Sequence, residues 1–181
     1  MSDTIRGTTI VAVKKDGKTV IAGDGQITMS QSVILKATAI KVRRIYNEKV
    51  VIGFAGSVAD AFSLCERFEA VLAKYSGNLL RSAVELAQEW RTDKILRKLE
   101  AMMIAADKEN MLILSGSGEV IQIEEGVTAI GSGGNYALSA AKAMLKYSPS
   151  LSAKEIAVNA LQIAGELCVF TNGNITVEEI E

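Results

Sequence analysis

The chain has 181 residues, which suits one domain with one sizeable core, and 49% of them are hydrophobic, which excludes global disorder. Its 20 Lys and Arg nearly balance its 21 Asp and Glu, so there is no electrostatic footprint for nucleic acid or an acidic membrane surface. No apolar run approaches the roughly 20 residues needed to span a bilayer.

The chain begins with a short polar leader, residues 1–7, which lacks the apolar stretch of a secretory signal. We therefore expect a cytoplasmic protein. Its two cysteines, Cys65 and Cys168, fall in apolar helical patterns and are interpreted as buried free thiols. Zinc would lack its usual ligands, because the chain has no histidine and no Cys-x-x-Cys motif.

Strands fill the first third of the sequence. Apolar runs predict strands at 8–14 and 19–24, joined by a short turn that contains Gly17. Two further strands are predicted at 40–45 and 50–54.

Paired helices and a second group of strands follow. Helical spacing predicts one helix that starts at a Ser57/Asp60 cap and another from Leu79 to Leu96. Strands are then expected at 102–106, 111–114, 120–123 and 128–130. A third helix to residue 146, a fourth that runs from a Ser152/Glu155 capping box to about residue 169, and a strand at 175–180 complete the pattern.

This order of elements predicts the fold class. Helices that come in pairs do not match the alternating pattern of a parallel βαβ sheet. The sequence therefore predicts an α+β fold in which two antiparallel sheets face each other with a helix pair outside each, a four-layer αββα sandwich. The nearly continuous apolar strands agree, since sheets covered on both faces lose clean alternation.

The absence of histidine limits the chemistry, because neither a Ser-His-Asp nor a Cys-His catalyst can be built. An N-terminal threonine carries a nucleophile and an amine base in one residue, and Thr8 follows the small, flexible Gly7 at a strand start. A threonine pair at a strand start is more often simply β propensity. Likewise, Asp24 could belong to a plain Gly-Asp-Gly turn and Lys41 to a solvated edge strand.

Two glycine clusters resemble phosphate loops only superficially. Gly23-Asp24-Gly25 lacks the later glycine of the dinucleotide fingerprint and places a carboxylate where phosphate would sit. Gly131-Ser132-Gly133-Gly134 follows a strand and opens a helix, but another helix comes next, so there is no βαβ unit. Nucleotide binding is therefore disfavoured.

A series of short stretches carries a family resemblance from Thr8 to about Glu179. In chain order they are Thr8-Thr9-Ile10-Val11, Ala22-Gly23-Asp24-Gly25-Gln26, Lys41-Val42-Arg43-Arg44, Gly53-Phe54-Ala55-Gly56, Asp60-Ala61-Phe62, Glu89-Trp90-Arg91, Leu96-Arg97-Lys98-Leu99-Glu100-Ala101, Ile130-Gly131-Ser132-Gly133-Gly134 and Cys168-Val169-Phe170-Thr171-Asn172. In these stretches and their order, the chain resembles the HslV (ClpQ) family of bacterial proteasome-like threonine peptidases.

The resemblance implies an N-terminal-nucleophile hydrolase fold, with a leader at residues 1–7 and a single peptidase domain at 8–181. It implies Thr8 as the mature N-terminus and nucleophile, supported by Asp24, Lys41 and Ser132, with the backbone N–H of Gly56 at the oxyanion. The family's monovalent-cation site, a sodium-type site made of backbone carbonyls, would fall on Gly165, Cys168 and Thr171.

The resemblance also implies partners. These are a homo-oligomer of two stacked hexameric rings, a hexameric AAA+ unfoldase of the HslU type that uses ATP and Mg²⁺, and unfolded protein substrates. Two alternatives stay open: an N-terminal-nucleophile amidase that acts on small amides without an ATPase, and a catalytically inactive scaffold subunit.

Overall fold

The computed structural model describes residues 5–7, 9–29, 32–56, 58–94 and 101–181, and for 5–7 and 58–60 it describes the backbone alone. Thr8, the Ser57 cap and residues 95–100 therefore lie outside the described residues. In chain order the elements are β1 (Ile5–Gly7), β2 (Thr9–Lys15), β3 (Lys18–Gly23), β4 (Ile27–Met29), β5 (Val33–Lys36), β6 (Val42–Ile45), β7 (Val50–Ala55), α1 (Val58–Lys74), α2 (Leu79–Thr92), β8 (Met102–Ala106), β9 (Met111–Ser115), β10 (Val120–Gln122), β11 (Val127–Gly131), α3 (Gly134–Tyr147), α4 (Ala153–Leu167) and β12 (Thr176–Ile180).

Two of the sheets form the centre of the molecule, and every described strand pair in them is antiparallel. One sheet has the order β11-β2-β3-β12 and the other β10-β9-β8-β7-β6. The predicted β2–β3 hairpin is confirmed, with Asp16 and Gly17 at φ 53° and 78° in its turn. Two adjacent left-handed residues match the twist that a two-residue hairpin needs.

The three layers of apolar packing identify a four-layer arrangement. Side chains of α1 and α2, including Phe68 and Trp90, pack on one face of the β6–β10 sheet. Side chains of α3 and α4, including Ile156, pack on the outer face of the other sheet. Ile10 and Ile104 belong to a third cluster, in which the two sheets meet. The predicted αββα sandwich is confirmed.

A third, small sheet was not predicted from the sequence. It has the order β1-β4-β5, with Gly7 opposite Ile27 and Ile5 opposite Met29. Its strands have only three or four residues, and all four residues of β5 are exposed, so neither length nor alternation marked them. This sheet places residues 5–7 beside the segment that follows Asp24.

Two of the helices begin at residues whose side chains cap the first turn. Ser152 and Glu155 form the predicted capping box of α4, and the side chain of Asn78 caps α2 by accepting from the N–H of Arg81. Two helices end before their predicted limits, α2 at Thr92 and α4 at Leu167. Among the described residues, no helix has the length and apolarity required to cross a membrane.

Candidate functional site

A fully buried carboxylate, that of Asp24, lies directly after β3 and is the centre of the site. Its Oδ1 accepts from the backbone N–H of Thr9 at 3.0 Å and from Lys41 Nζ at 2.7 Å. Its Oδ2 accepts from the backbone N–H groups of Gln26 at 3.0 Å and Asn172 at 3.2 Å. These four donors satisfy the lone-pair sites of an ionised carboxylate, so the charge is well supported in the interior.

Lys41 precedes β6, and its backbone carbonyl accepts from the N–H of Phe54 on β7 at 3.0 Å. Its side chain is only 5% exposed. Burial lowers the pKa of the Lys41 ammonium below its ordinary value, and the adjacent Asp24 carboxylate opposes that shift. Asp24 and Lys41, two of the predicted site residues, are therefore in direct contact as a buried ion pair.

Thr9 connects this pair to the start of β2. Besides its N–H bond to Asp24, its buried hydroxyl shares a 2.7 Å hydrogen bond with the hydroxyl of Thr171 and accepts from the N–H of Gly133 at 3.0 Å. Thr8, the predicted nucleophile, lies outside the described residues. The structure nevertheless places the Asp24–Lys41 pair against Thr9, the residue that follows Thr8 in the chain.

Ser132 lies in the turn between β11 and α3, where its residue is exposed. The neighbouring Gly133 ties this turn to the site through its bond to Thr9. A Cβ atom at Gly133 would come within 2.5 Å of the hydroxyl oxygens of both Thr9 and Thr171, so only glycine allows this close approach. The turn that carries Ser132 is thus held directly against the start of β2.

Gly56 follows β7 with φ 142°, a conformation that favours glycine, and it lines the same cavity as Lys41. This cavity has a volume of about 180 Å³. It is lined mainly by apolar side chains, together with Lys36, Lys41, Arg43 and Cys65; the apolar ones are Ile27, Ala39, Ile40, Ile52, Phe54, Ala61 and Phe62. An apolar cavity beside a buried ion pair can hold an apolar side chain of a ligand near the charged groups.

The predicted cation ligands lie together at the end of α4. The carbonyl of Cys168 accepts from the N–H of Thr171 at 3.0 Å. A Cβ atom at Gly165 would stand 3.6 Å from the carbonyl oxygen of Thr171. Gly165 lies in the last turn of α4, and Cys168 and Thr171 follow the helix. Backbone carbonyl oxygens are donors of the kind that hard cations prefer, so the chemistry of these residues fits the predicted site. Among the described residues, no cluster of Asp, Glu and Cys side chains could hold a metal ion.

The polar network around Asp24 includes residues that sequence reasoning did not assign. Gln26 donates its backbone N–H to Asp24 and its side-chain amide to the carbonyl of Val169 at 2.8 Å. Thr171 was predicted only as a carbonyl ligand, yet its side chain bonds Thr9. The available signal for Asn172 was its place in the family-like stretch at 168–172, since its partners lie far away in sequence.

Among the described residues, Asp24, Lys41 and the turn that carries Ser132 lie at the start of β2. Lys41 and Asp24 form a buried ion pair, the Ser132 turn is bonded to Thr9, and Gly56 borders the cavity on the Lys41 side. A cationic group buried beside a strand start is suited to lower the pKa of a neighbouring amine. This arrangement can therefore assist acid–base chemistry without histidine.

Comparison with known proteins identifies the family. A family model described as Proteasome subunit matches residues 4–180. The chain is 64% identical to the ATP-dependent protease subunit HslV of Enterococcus faecalis, covering 96% of both chains. It is 59% identical to the protein of the same name from Listeria innocua, covering 97% of this chain and 99% of that one.

A solved structure agrees with this assignment. The crystal structure of eukaryotic HslV from Trypanosoma brucei superposes with a TM-score of 0.91 at 45% identity, covering 96% of this chain and 99% of that chain. The sequence match and the fold match thus extend over nearly the same residues. The chain belongs to the HslV family of proteasome-type protease subunits.

Proposed function

We propose that this chain is the proteolytic subunit of a two-component, ATP-dependent protease and that it cleaves peptide bonds with Thr8 as an N-terminal nucleophile. The observation that carries the proposal is the Asp24 carboxylate, which binds Lys41 and the N–H of Thr9 through one oxygen atom. This contact supports a catalytic group at the adjacent residue, Thr8.

The proposed mechanism uses the α-amine of mature Thr8 as the base. An unperturbed α-amine has a pKa of about 7.7–8.0, and the positive charge of Lys41 would lower it further. The amine takes the hydroxyl proton as Thr8 Oγ1 attacks the substrate carbonyl, and it then delivers a proton to the leaving amine. Water hydrolyses the resulting ester and frees the Thr8 hydroxyl. The Gly56 N–H stabilises the oxyanion, and Ser132 supports the cluster.

The leader acts in this proposal as an activation switch. While Gly7 is attached, the nitrogen of Thr8 is an amide and cannot accept the proton. The pairing of residues 5–7 with β4 also supports the proposal that an extended chain can lie along this strand. We infer that substrate takes the same edge as an added strand, with an apolar side chain in the cavity beside Lys41.

The proposed ATPase partner rests on the names of the relatives and on the sequence of this chain. The relatives are named subunits of an ATP-dependent protease, whereas this sequence has no credible phosphate loop. We propose that a hexameric AAA+ unfoldase of the HslU type uses ATP and Mg²⁺ to deliver unfolded proteins. The peptidase would form two stacked hexameric rings around an enclosed chamber.

A sodium ion is the proposed occupant of the carbonyl site at Gly165, Cys168 and Thr171. Its role would be structural. It would stabilise the loop after α4, whose residues Thr171 and Asn172 contact Thr9 and Asp24.

The test starts with the N-terminus and the nucleophile. N-terminal sequencing of the active protein should read Thr-Thr-Ile, and Thr8→Ala should abolish peptide hydrolysis while leaving assembly intact. Thr8→Ser should retain part of the activity, because hydroxyl and amine both survive. A fully active protein that retains Met1, or wild-type turnover by Thr8→Ala, would refute the mechanism.

One of the two alternatives, an amidase without a partner, is tested by size and stimulation. The proposal expects a species many times the 19.3 kDa of one chain in sedimentation, and strong stimulation by the cognate ATPase with ATP and Mg²⁺. A stable monomer that hydrolyses small amides at full rate, indifferent to the ATPase, would favour the amidase.

A further inference from the structure

The side chain of Asn172 connects segments that are far apart in sequence. Its Oδ1 accepts from the N–H of Gly25 at 3.1 Å, and its Nδ2 donates to the carbonyl of Ala37 at 2.9 Å. Its backbone N–H donates to Asp24 Oδ2 at 3.2 Å. One residue in the loop after α4 therefore bonds both the turn that carries Asp24 and the segment that leads to Lys41.

The segment from Ala37 to Lys41 depends on such contacts, since it forms no strand. The N–H of Ala39 donates to the carbonyl of Gly25 at 2.8 Å, which brings the segment against the Asp24 turn. Gly25 is close-packed there, because a Cβ atom on it would stand 2.4 Å from the carbonyl oxygen of Ala37. Asn172 bonds both sides of this contact, at Gly25 and at Ala37.

We propose that Asn172 is a positioning residue that fixes the Asp24 turn and the Lys41 segment relative to each other. This inference rests on the proposed function, in which Lys41 acts on the amine of Thr8. Asn172 touches neither the nucleophile nor the ammonium group in this scheme. It acts through the two backbone segments that it joins.

The neighbouring Asn174 provides a matched control. Its Nδ2 also donates to the carbonyl of Ala37 at 2.9 Å, and it has the same side-chain chemistry. Its backbone N–H donates to Asn172 Oδ1, a bond that does not depend on its own side chain. Asn174→Ala therefore removes one donor from Ala37 and leaves the bond between Asn172 and Gly25 in place.

Asn172→Ala removes the side-chain bonds to both segments and keeps the backbone N–H to Asp24. A displacement of about 1 Å in a catalytic group can cost up to about 10²-fold in rate, so we expect kcat for a peptide substrate to fall by about 10- to 100-fold with little change in KM. Asn174→Ala should stay within about threefold of wild type by the same reasoning, because Ala37 retains the Asn172 donor.

The pH profile separates positioning from a purely structural role. If Lys41 moves away from the amine of Thr8, the amine pKa rises towards its ordinary value, and the acid limb of kcat/KM should move up by roughly 0.5–1 pH unit. The other charged side chains that line the cavity beside Lys41 are Lys36 and Arg43, and neither shares a described hydrogen bond with Asn172. The limb should stay in place in Asn174→Ala.

Asn172→Asp separates the bond with Gly25 from the bond with Ala37, and it replaces Asn172→Ala in the assay if that variant does not assemble. It keeps an acceptor for Gly25 but turns a carboxylate oxygen towards the carbonyl of Ala37. We expect an upward shift of the acid limb at least as large as in Asn172→Ala, because the added negative charge also raises the pKa of a nearby amine, and a loss in kcat at least as large. Sedimentation of each variant shows that the rates belong to assembled protein.

Two results would overturn the inference: equal losses in Asn172→Ala and Asn174→Ala, or a loss in Asn172→Ala and Asn172→Asp with an unmoved acid limb. Thr8→Ala, assayed in parallel, separates this failure from that of the proposed function. If Thr8→Ala is inactive and the Asn172 variants show no shift, the nucleophile assignment stands and the positioning role alone is wrong.

Discussion

Replacing Lys41 with methionine removes the ammonium group from the buried pair and keeps most of the apolar volume of the side chain. Asp24, fully buried, then loses its 2.7 Å ionic partner and retains the backbone N–H donors of Thr9, Gln26 and Asn172. Loss of one partner of a buried ion pair destabilises by about 3–5 kcal/mol. With three N–H donors left, we expect the lower end, about 3 kcal/mol.

The rate of the folded variant should fall as well, independently of the loss of stability. Under the proposed mechanism, Lys41 is the positive charge beside the amine of Thr8, and removal of one such electrostatic contributor typically costs about 10²–10³ in rate. Arg44→Met is the matched control. Arg44 pairs with Glu178 at 2.6 Å, with side chains 28% and 31% exposed, so its loss should cost about 0.2–1 kcal/mol and leave the rate nearly unchanged.

The assay compares both variants with wild type after N-terminal sequencing shows that each begins at Thr8. Hydrolysis of a fluorogenic peptide is measured with the partner ATPase present, and urea unfolding is measured at fixed protein concentration. Equal, mild rate losses in Lys41→Met and Arg44→Met would refute the reasoning and leave Lys41 as a structural partner of Asp24 without a catalytic role.

Three further expectations come from other features of the structure. In thermal melts and peptidase assays, Gly133→Ala should destabilise the fold by about 1–3 kcal/mol and impair hydrolysis, since its Cβ would stand 2.5 Å from the Thr9 hydroxyl. Gly134→Ala should have neither effect, because the nearest contact of its Cβ would be at 3.5 Å. Burial lowers the pKa of Lys41 in the folded state, so at alkaline pH the unfolded state binds more protons than the folded state. In urea unfolding, wild type should therefore gain stability relative to Lys41→Met as the pH rises towards the ordinary lysine pKa of 10.5. Burial raises the pKa of the Cys65 thiol to about 11, which keeps the thiol protonated and unreactive at pH 8. Mass spectrometry after iodoacetamide treatment at pH 8 should therefore show little alkylation of Cys65 in folded protein and full alkylation in urea. Rapid labelling of the folded form would contradict this.

Local sequence determined the elements whose signals lie within a few residues. The Asp16–Gly17 turn defines the β2–β3 hairpin, and Ser152 with Glu155 starts α4, because turn geometry and capping involve neighbours in the chain. The order of paired helices and strands was enough to predict the sandwich. The absence of histidine restricted the catalyst to amine or carboxylate bases. Family-like stretches pointed to Asp24 and Lys41.

Only the tertiary structure decided which distant side chains complete the site. Thr9 and Thr171 are 162 positions apart and share a hydrogen bond, and Asn172 reaches Ala37 across 135 positions. The small β1-β4-β5 sheet was equally hidden, because strands of three or four residues form through pairing rather than through their own periodicity. No local pattern encodes such contacts: they exist because packing of α4 on its sheet brings the loop after it against the turn that carries Asp24.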